Sequence, residues 1–110
     1  MAERREGLVR VLSVRGEIDI STAPELRDRL ALAVGEEAST VVVDLCEVSF
    51  LDSTALGVLV SAMRRLRATG GDLRLVLNGR GIDKIFEVTG LAELFEIFDS
   101  VPRAVKGATG

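Results

Sequence analysis

Apolar positions along this chain switch between two spacings. Leu8 to Val14 reads LVRVLSV. Leu8, Leu12 and Val14 share their parity with Arg10, so the alternation is imperfect, but the β-branched content predicts a strand. Gly16 marks a bulge or a close approach, and Glu17-Ile18-Asp19-Ile20 continues the extended run. Thr22 and Glu25 then have capping-box spacing, and Pro24 fits a first helical turn, where its missing N–H costs nothing. Leu26, Leu30, Ala33 and Val34 recur at helical spacing, and Gly35 is the expected stop. Thr40 to Leu45 is a second strand, whose unbroken valine run predicts burial on both faces.

A short loop follows, and Asp52-Ser53-Thr54 opens a helix from about Ser53 to Ala68. Leu56, Leu59, Val60, Met63 and Leu66 form one face of it. Ala55, Val58 and Ala62 widen that face until the segment is apolar almost all round, so it is expected to be the most buried helix. Arg64, Arg65 and Arg67 suit the negative end of its dipole, and Gly70-Gly71 ends it. Leu73 to Leu77 is a third strand, and Gly79-Arg80-Gly81 a turn. Asp83 to Thr89 is a short helix with Ile82, Ile85 and Phe86 inward and Gly90 at its end. Leu94 to Phe98 alternates as a fourth strand. Ser100 caps a last helix through Pro102, and Gly107 to Gly110 reads as frayed. Strand and helix alternate throughout, which calls for a mainly parallel sheet with right-handed crossovers. The expectation is one domain over residues 1–110, with its core between about residues 8 and 106.

Composition narrows the chemistry. The 110 residues are 47% hydrophobic and 28% charged, ordinary for a globular domain. No apolar run reaches the ~18 residues of a membrane span, because Arg64 and Arg65 interrupt the longest. The opening MAERREG has no apolar stretch behind it, so no secretory signal is read and a cytoplasmic location is the default. Cys46 is the sole cysteine, which excludes an intrachain disulfide, and it is expected to be buried as a small hydrophobe. Histidine is absent, which removes the commonest general base and metal ligand. No metal and no cofactor is expected. A net charge of −3 without Trp or Tyr offers nucleic acid neither a basic footprint nor stacking platforms.

Asp52-Ser53-Thr54 carries the chemistry that remains. Asp52 or Ser53 can cap the helix by accepting from a free backbone N–H. The same N–H groups and the positive dipole end also favour a phosphate carried on a hydroxyl there, and the two readings are compatible. Glu17, Asp19, Asp44, Glu47 and Asp52 form a second constellation. Asp19 and Asp44 are placed at or just beyond strand C-terminal ends, the edge where open α/β sheets bind ligands. Singly, each is better read as a solvated loop acid or cap. A divalent ion or a hydrolytic carboxylate pair is the sharper alternative. Gly79-Arg80-Gly81 lacks the pattern of a phosphate-cradling loop.

Three stretches resemble a known family: GEIDISTAPELRDRL at Gly16 to Leu30, VVVDLCEVSFLDSTALGVLVSAMRRL at Val41 to Leu66, and GLAELFEIFDSVPRAV at Gly90 to Val105. Together they resemble the STAS domain of bacterial anti-sigma-factor antagonists. The resemblance implies an α/β fold with a four- to five-stranded mixed, mainly parallel sheet and about four helices. It implies a regulatory binding protein rather than an enzyme. Unphosphorylated, such a protein binds an anti-sigma-factor serine kinase and frees the sigma factor. Phosphorylation of the serine after the loop aspartate switches it off, and a serine phosphatase restores it. That serine is Ser53 here, with Thr54 the second candidate, and Asp19, Asp52, Ser53 and Thr54 are the implied partner contacts.

Two departures stand out. Ala55 replaces the family's usual glycine, which would strain the loop at positive φ but suits a helical first turn better than glycine does; the helical case is expected. The family's additional N-terminal strand has only Met1 to Gly7 to form it, so it is expected to be curtailed or absent. The alternatives are a STAS accessory or scaffold subunit of a transporter or stress-sensing complex without phosphorylation, an acyl-phosphate enzyme using Asp44 or Asp52, and a small nucleotide-binding module. The missing histidine and the lack of a suitably placed lysine weigh against the enzyme.

Overall fold

Five strands lie side by side in chain order: β1 (Ala2–Glu6), β2 (Val9–Ile18), β3 (Thr40–Leu51), β4 (Asp72–Val76) and β5 (Glu96–Phe98). β1 runs antiparallel to β2, and every other neighbour pair is parallel. The helices are α1 (Ala23–Val34), α2 (Ser53–Ala68), α3 (Asp83–Val88) and α4 (Val101–Thr109), with a 3-10 turn at Leu91–Glu93. The computed structural model describes residues 1–34, 40–79 and 81–109. The helix stop read at Gly35 and the arginine of the 79–81 turn lie outside them. Among the described residues no helix is long and apolar enough to cross a membrane.

The mainly parallel mixed sheet is the expected one, and several elements differ from their expected bounds. β1 exists, although its five residues are all exposed. AERRE has no apolar alternation to betray a strand. It forms through its ladder to β2 and through Arg10, whose guanidinium donates to Glu3 at 3.3 Å. Its charges also keep this edge from pairing with other chains. β3 runs six residues past Leu45 to Leu51, because its second half pairs with the far end of β2. Asp44 is therefore inside a strand, not at its end. β5 keeps only Glu96–Phe98, since residues 91–93 coil into the 3-10 turn. Helix α4 continues through Thr109, where fraying was expected. Ser100 does cap it, accepting from the Arg103 N–H at 3.4 Å.

The sheet has two covered faces. Leu12, Val41, Val43, Leu45, Leu73 and Leu75 pack under α1, α2 and α3. Val9, Val11, Val42 and Val76 pack under α4 through Ala104. Val41, Val42 and Val43 are thus buried from both sides, as the valine run predicts. Arg74 holds α4 down. Its guanidinium donates to the Ala104 carbonyl at 2.9 Å and lies 5.1 Å from the Phe98 ring centroid. Gly16, at φ 84°, sits among the register shifts between β2 and β3, the predicted bulge.

Candidate functional site

Helices α1 and α2 both start at the edge where β2 and β3 end. The Asp52 N–H donates to the Ile18 carbonyl at 3.1 Å and ties the two loops together. Asp52, extended at φ −93° and ψ −179°, is the N-cap of α2. Its carboxylate accepts from the Ala55 N–H at 2.9 Å. That settles the capping alternative: Asp52 caps and Ser53 does not. Ser53 and Thr54 occupy the first two helical positions and are exposed, and among the described residues neither hydroxyl has a hydrogen-bond partner. Ala55 is helical and fully buried, as expected of an alanine in a first turn.

The loop before α1 is built differently from its predicted capping box. Thr22 turns its hydroxyl backward, accepting from the Asp19 N–H at 2.9 Å and donating to the Glu17 carbonyl at 3.2 Å. Asp19 organises this loop. Its Oδ1 accepts from the Ser21 hydroxyl at 2.6 Å, the Ser21 N–H at 2.9 Å and the Thr22 N–H at 3.3 Å. These bonds, the Ser21 hydroxyl's first, hold its carboxyl below the ordinary aspartate value.

The acids do not converge. Asp19 and Asp52 share the strand-end edge, and Glu17 lies beside Phe50 in the β2–β3 register. Asp44 faces the α4 side of the sheet, two residues from Val42 and two from Cys46. With Ser13 and Glu47 it lines a cavity of about 530 Å³ away from Ser53. Glu47 pairs with Arg15 at 2.9 Å on the surface. Cys46 is half-buried rather than buried. Burial, and then Asp44, push its thiol up to about 11, so it is not a thiolate at neutral pH. Among the described residues no three potential ligands gather to hold a metal ion.

Two exposed apolar residues at this edge escape the sequence reading. Ile20 is 74% exposed and Phe50 46%, both at this edge among acids. The available signal is their position, Ile20 directly after Asp19 and Phe50 two residues before Asp52. The helix between Ser53 and Ala68 has the expected bounds, but burial is one-sided. Ala55, Leu59, Ala62, Met63 and Leu66 are buried, whereas Leu56, Val58 and Val60 remain half-exposed.

Fold and site define a class: an α/β domain with helices on both faces of a mixed sheet and exposed hydroxyls at the start of α2. Residues 1–104 match the model of the STAS domain, and the chain belongs to that family. An anti-sigma-B factor antagonist of Listeria monocytogenes is 40% identical over 84 residues, covering 76% of this chain and 74% of that protein. The anti-sigma-B factor antagonist of Bacillus subtilis is 34% identical over 86 residues, 78% of each chain. Among solved structures, an anti-sigma factor antagonist from Mycobacterium paratuberculosis superposes with a TM-score of 0.89 at 28% identity, covering 99% of this chain and 92% of that one. Unphosphorylated SpoIIAA, an anti-sigma factor antagonist, superposes at 0.80 with 24% identity, over 99% of this chain and 97% of that one, a likeness of fold.

Proposed function

We propose that this protein is an anti-sigma factor antagonist switched by phosphorylation of Ser53. Unphosphorylated, it binds an anti-sigma-factor serine kinase and releases the sigma factor held there. Phosphate on Ser53 ends that binding, and a serine phosphatase restores it. The protein is substrate and ligand in this cycle, not catalyst, and it works in the cytoplasm, where the sigma factor is.

The observation that carries the reading is the division of labour at the start of α2. Asp52 takes the cap, which leaves the Ser53 hydroxyl exposed and, among the described residues, unbonded at the positive end of a 16-residue helix. Relatives at 34–40% identity named anti-sigma-B factor antagonists support the role. Ile20 and Phe50 supply apolar contact, and Asp19 and Asp52 charge, for a partner surface that meets Ser53 and Thr54. A phosphate adds roughly −1.5 to −2 charges there, beside Asp52, in an interface fitted to a neutral hydroxyl.

The test is incubation with the serine-kinase anti-sigma factor of the same cell and ATP, followed by mass mapping and titration of both forms against that kinase. One phosphate at Ser53 and loss of binding on its arrival are expected. Stoichiometric phosphate elsewhere in Ser53→Ala would overturn the assignment. Unmodified protein that binds no such kinase would favour the accessory-subunit reading.

A further inference from the structure

A groove of about 240 Å³ runs between α1 and α2 and opens at Thr54. Leu30, Val58 and Ala62 give it an apolar floor, and Arg27 and Arg65 stand on its rims. Both arginines are exposed, and among the described residues neither meets a carboxylate. Arg29 and Arg64 are likewise without a carboxylate among the described residues, whereas Arg4, Arg10, Arg15, Arg67 and Arg103 each pair with an acid at 2.8–3.3 Å. Among the described residues no acid lines the groove, and α2 contains none. In a chain of net charge −3, this is an apolar channel with positive charge only.

We propose that the groove docks an acidic amphipathic helix of a partner protein. Apolar side chains of that helix seat on Leu30 and Val58, and its carboxylates meet Arg27 and Arg65. The volume favours side chains over a whole small molecule, whose sites span roughly 300–1,000 Å³. Spacing supports a helix. Both crossover helices return antiparallel to the strands, so α1 and α2 run the same way from the same edge. Arg27 is the fifth residue of α1 and Arg65 the thirteenth of α2. Eight positions at the helical rise offset them by about 12 Å along the helix axes, and the width of the groove adds to that, so the partner's acids lie about two turns apart along its length and flank its apolar stripe.

Gly57 provides a clean test, because a Cβ built there meets nothing within 4 Å. A larger residue blocks the groove without disturbing the core, and replacing a helical glycine does not cost helix propensity. The probes are two synthetic amphipathic helical peptides with identical leucine faces, one with glutamates two turns apart and one with lysines there. Amide shifts of the labelled protein are followed during titration, and sedimentation reports its oligomeric state. The glutamate peptide is expected to shift the amides of Ala31, Gly57 and Ser61 and to bind about tenfold tighter than the lysine peptide. Arg27→Glu with Arg65→Glu should invert that preference. Gly57→Leu should weaken binding by about tenfold with the rest of the spectrum unchanged. Equal binding of the two peptides, or shifts on another surface, overturns the proposal. A wild-type dimer dispersed by Gly57→Leu overturns it too, since a second copy would then cover the groove.

Discussion

Two strand-to-helix connections at one edge of the sheet begin with an aspartate and continue with serine and threonine: Asp19-Ile20-Ser21-Thr22 before α1, and Asp52-Ser53-Thr54 into α2. In the first, Ile20 separates the acid from the hydroxyls, and four positions lie between Ile18 and the helix. The Asp19 carboxylate closes a turn on Ser21 and Thr22, and both hydroxyls are bonded within the loop. In the second, the acid stands directly before the helix. It reaches over Ser53 and Thr54 to the Ala55 N–H, and both hydroxyls are left outside the network. Where the helix starts relative to the aspartate therefore decides whether the same side chains build a loop or stay available to a partner.

The sharpest break between the two loops is chemical. With the kinase and ATP, Ser53→Ala should lose nearly all phosphate incorporation, whereas Ser21→Ala and Thr54→Ala should keep it. Intact-mass analysis reads the result, and phosphate retained by Ser53→Ala at stoichiometric level would erase the distinction. The next effect concerns the helices that hold the loops in place. Leu26 on α1 and Leu59 on α2 are fully buried. Truncating either to alanine should cost roughly 2–5 kcal/mol in urea unfolding, as buried leucines do. A loss below about 0.5 kcal/mol for one of them would mean that its helix does not anchor its loop.

Much of this was legible in the sequence where the signal is local. Asp52-Ser53-Thr54, apolar residues at helical spacing and Gly70-Gly71 bound α2 by themselves, and the valine run of β3 announces its two-sided burial. What the sequence concealed depends on pairing between distant segments. The second half of β3 is a strand because β2 lies beside it across a bulge, so Asp44 looked like a strand end. Residues 2–6 make ladder bonds through their backbone and bury no side chain, so no pattern marked them. Thr22 and Glu25 have the spacing of a capping box, but Asp19, three residues upstream, claims the threonine. Asp52 and Ser53 fitted the cap of α2 equally well until the backbone placed one outside the helix and the other inside. The α1–α2 groove and the exposure of Phe50 follow from packing alone.

Smaller effects sharpen the comparison within each loop. Asp52→Ala removes the cap of α2 and should cost about 1 kcal/mol, within the usual 0.5–2. Thr22→Ala removes a hydroxyl that both accepts from Asp19 and donates to Glu17, and should also cost about 1 kcal/mol. Thr54→Ala and Ser53→Ala remove hydroxyls without partners and should stay within about 0.5 kcal/mol of wild type. Chemical denaturation of the four variants measures the set. A Thr54→Ala as costly as Thr22→Ala would show that the second loop also uses its hydroxyls for structure.

The smallest effect is the titration of Asp19. Its carboxyl is held below the ordinary value of 3.8, first by the Ser21 hydroxyl and then by the Ser21 N–H, with Thr22 adding less. Those bonds favour the ionised form in the folded state. Because the folded value is depressed, the stability they contribute is fully present above the unfolded value. It is lost as pH falls through the folded one, so the window lies in acid, below 3.8. Carboxyl-carbon NMR should place the Asp19 midpoint below 3.8 in the wild type and move it upward in Ser21→Ala, which removes the largest cause. Thr54→Ala, in the other loop, should leave it where it was. If the midpoint is the same in Ser21→Ala as in the wild type, the Ser21 hydroxyl is not committed to Asp19 in solution. The first loop would then hold a free serine much as the second does, and the contrast that singles out Ser53 would narrow to its position on the helix.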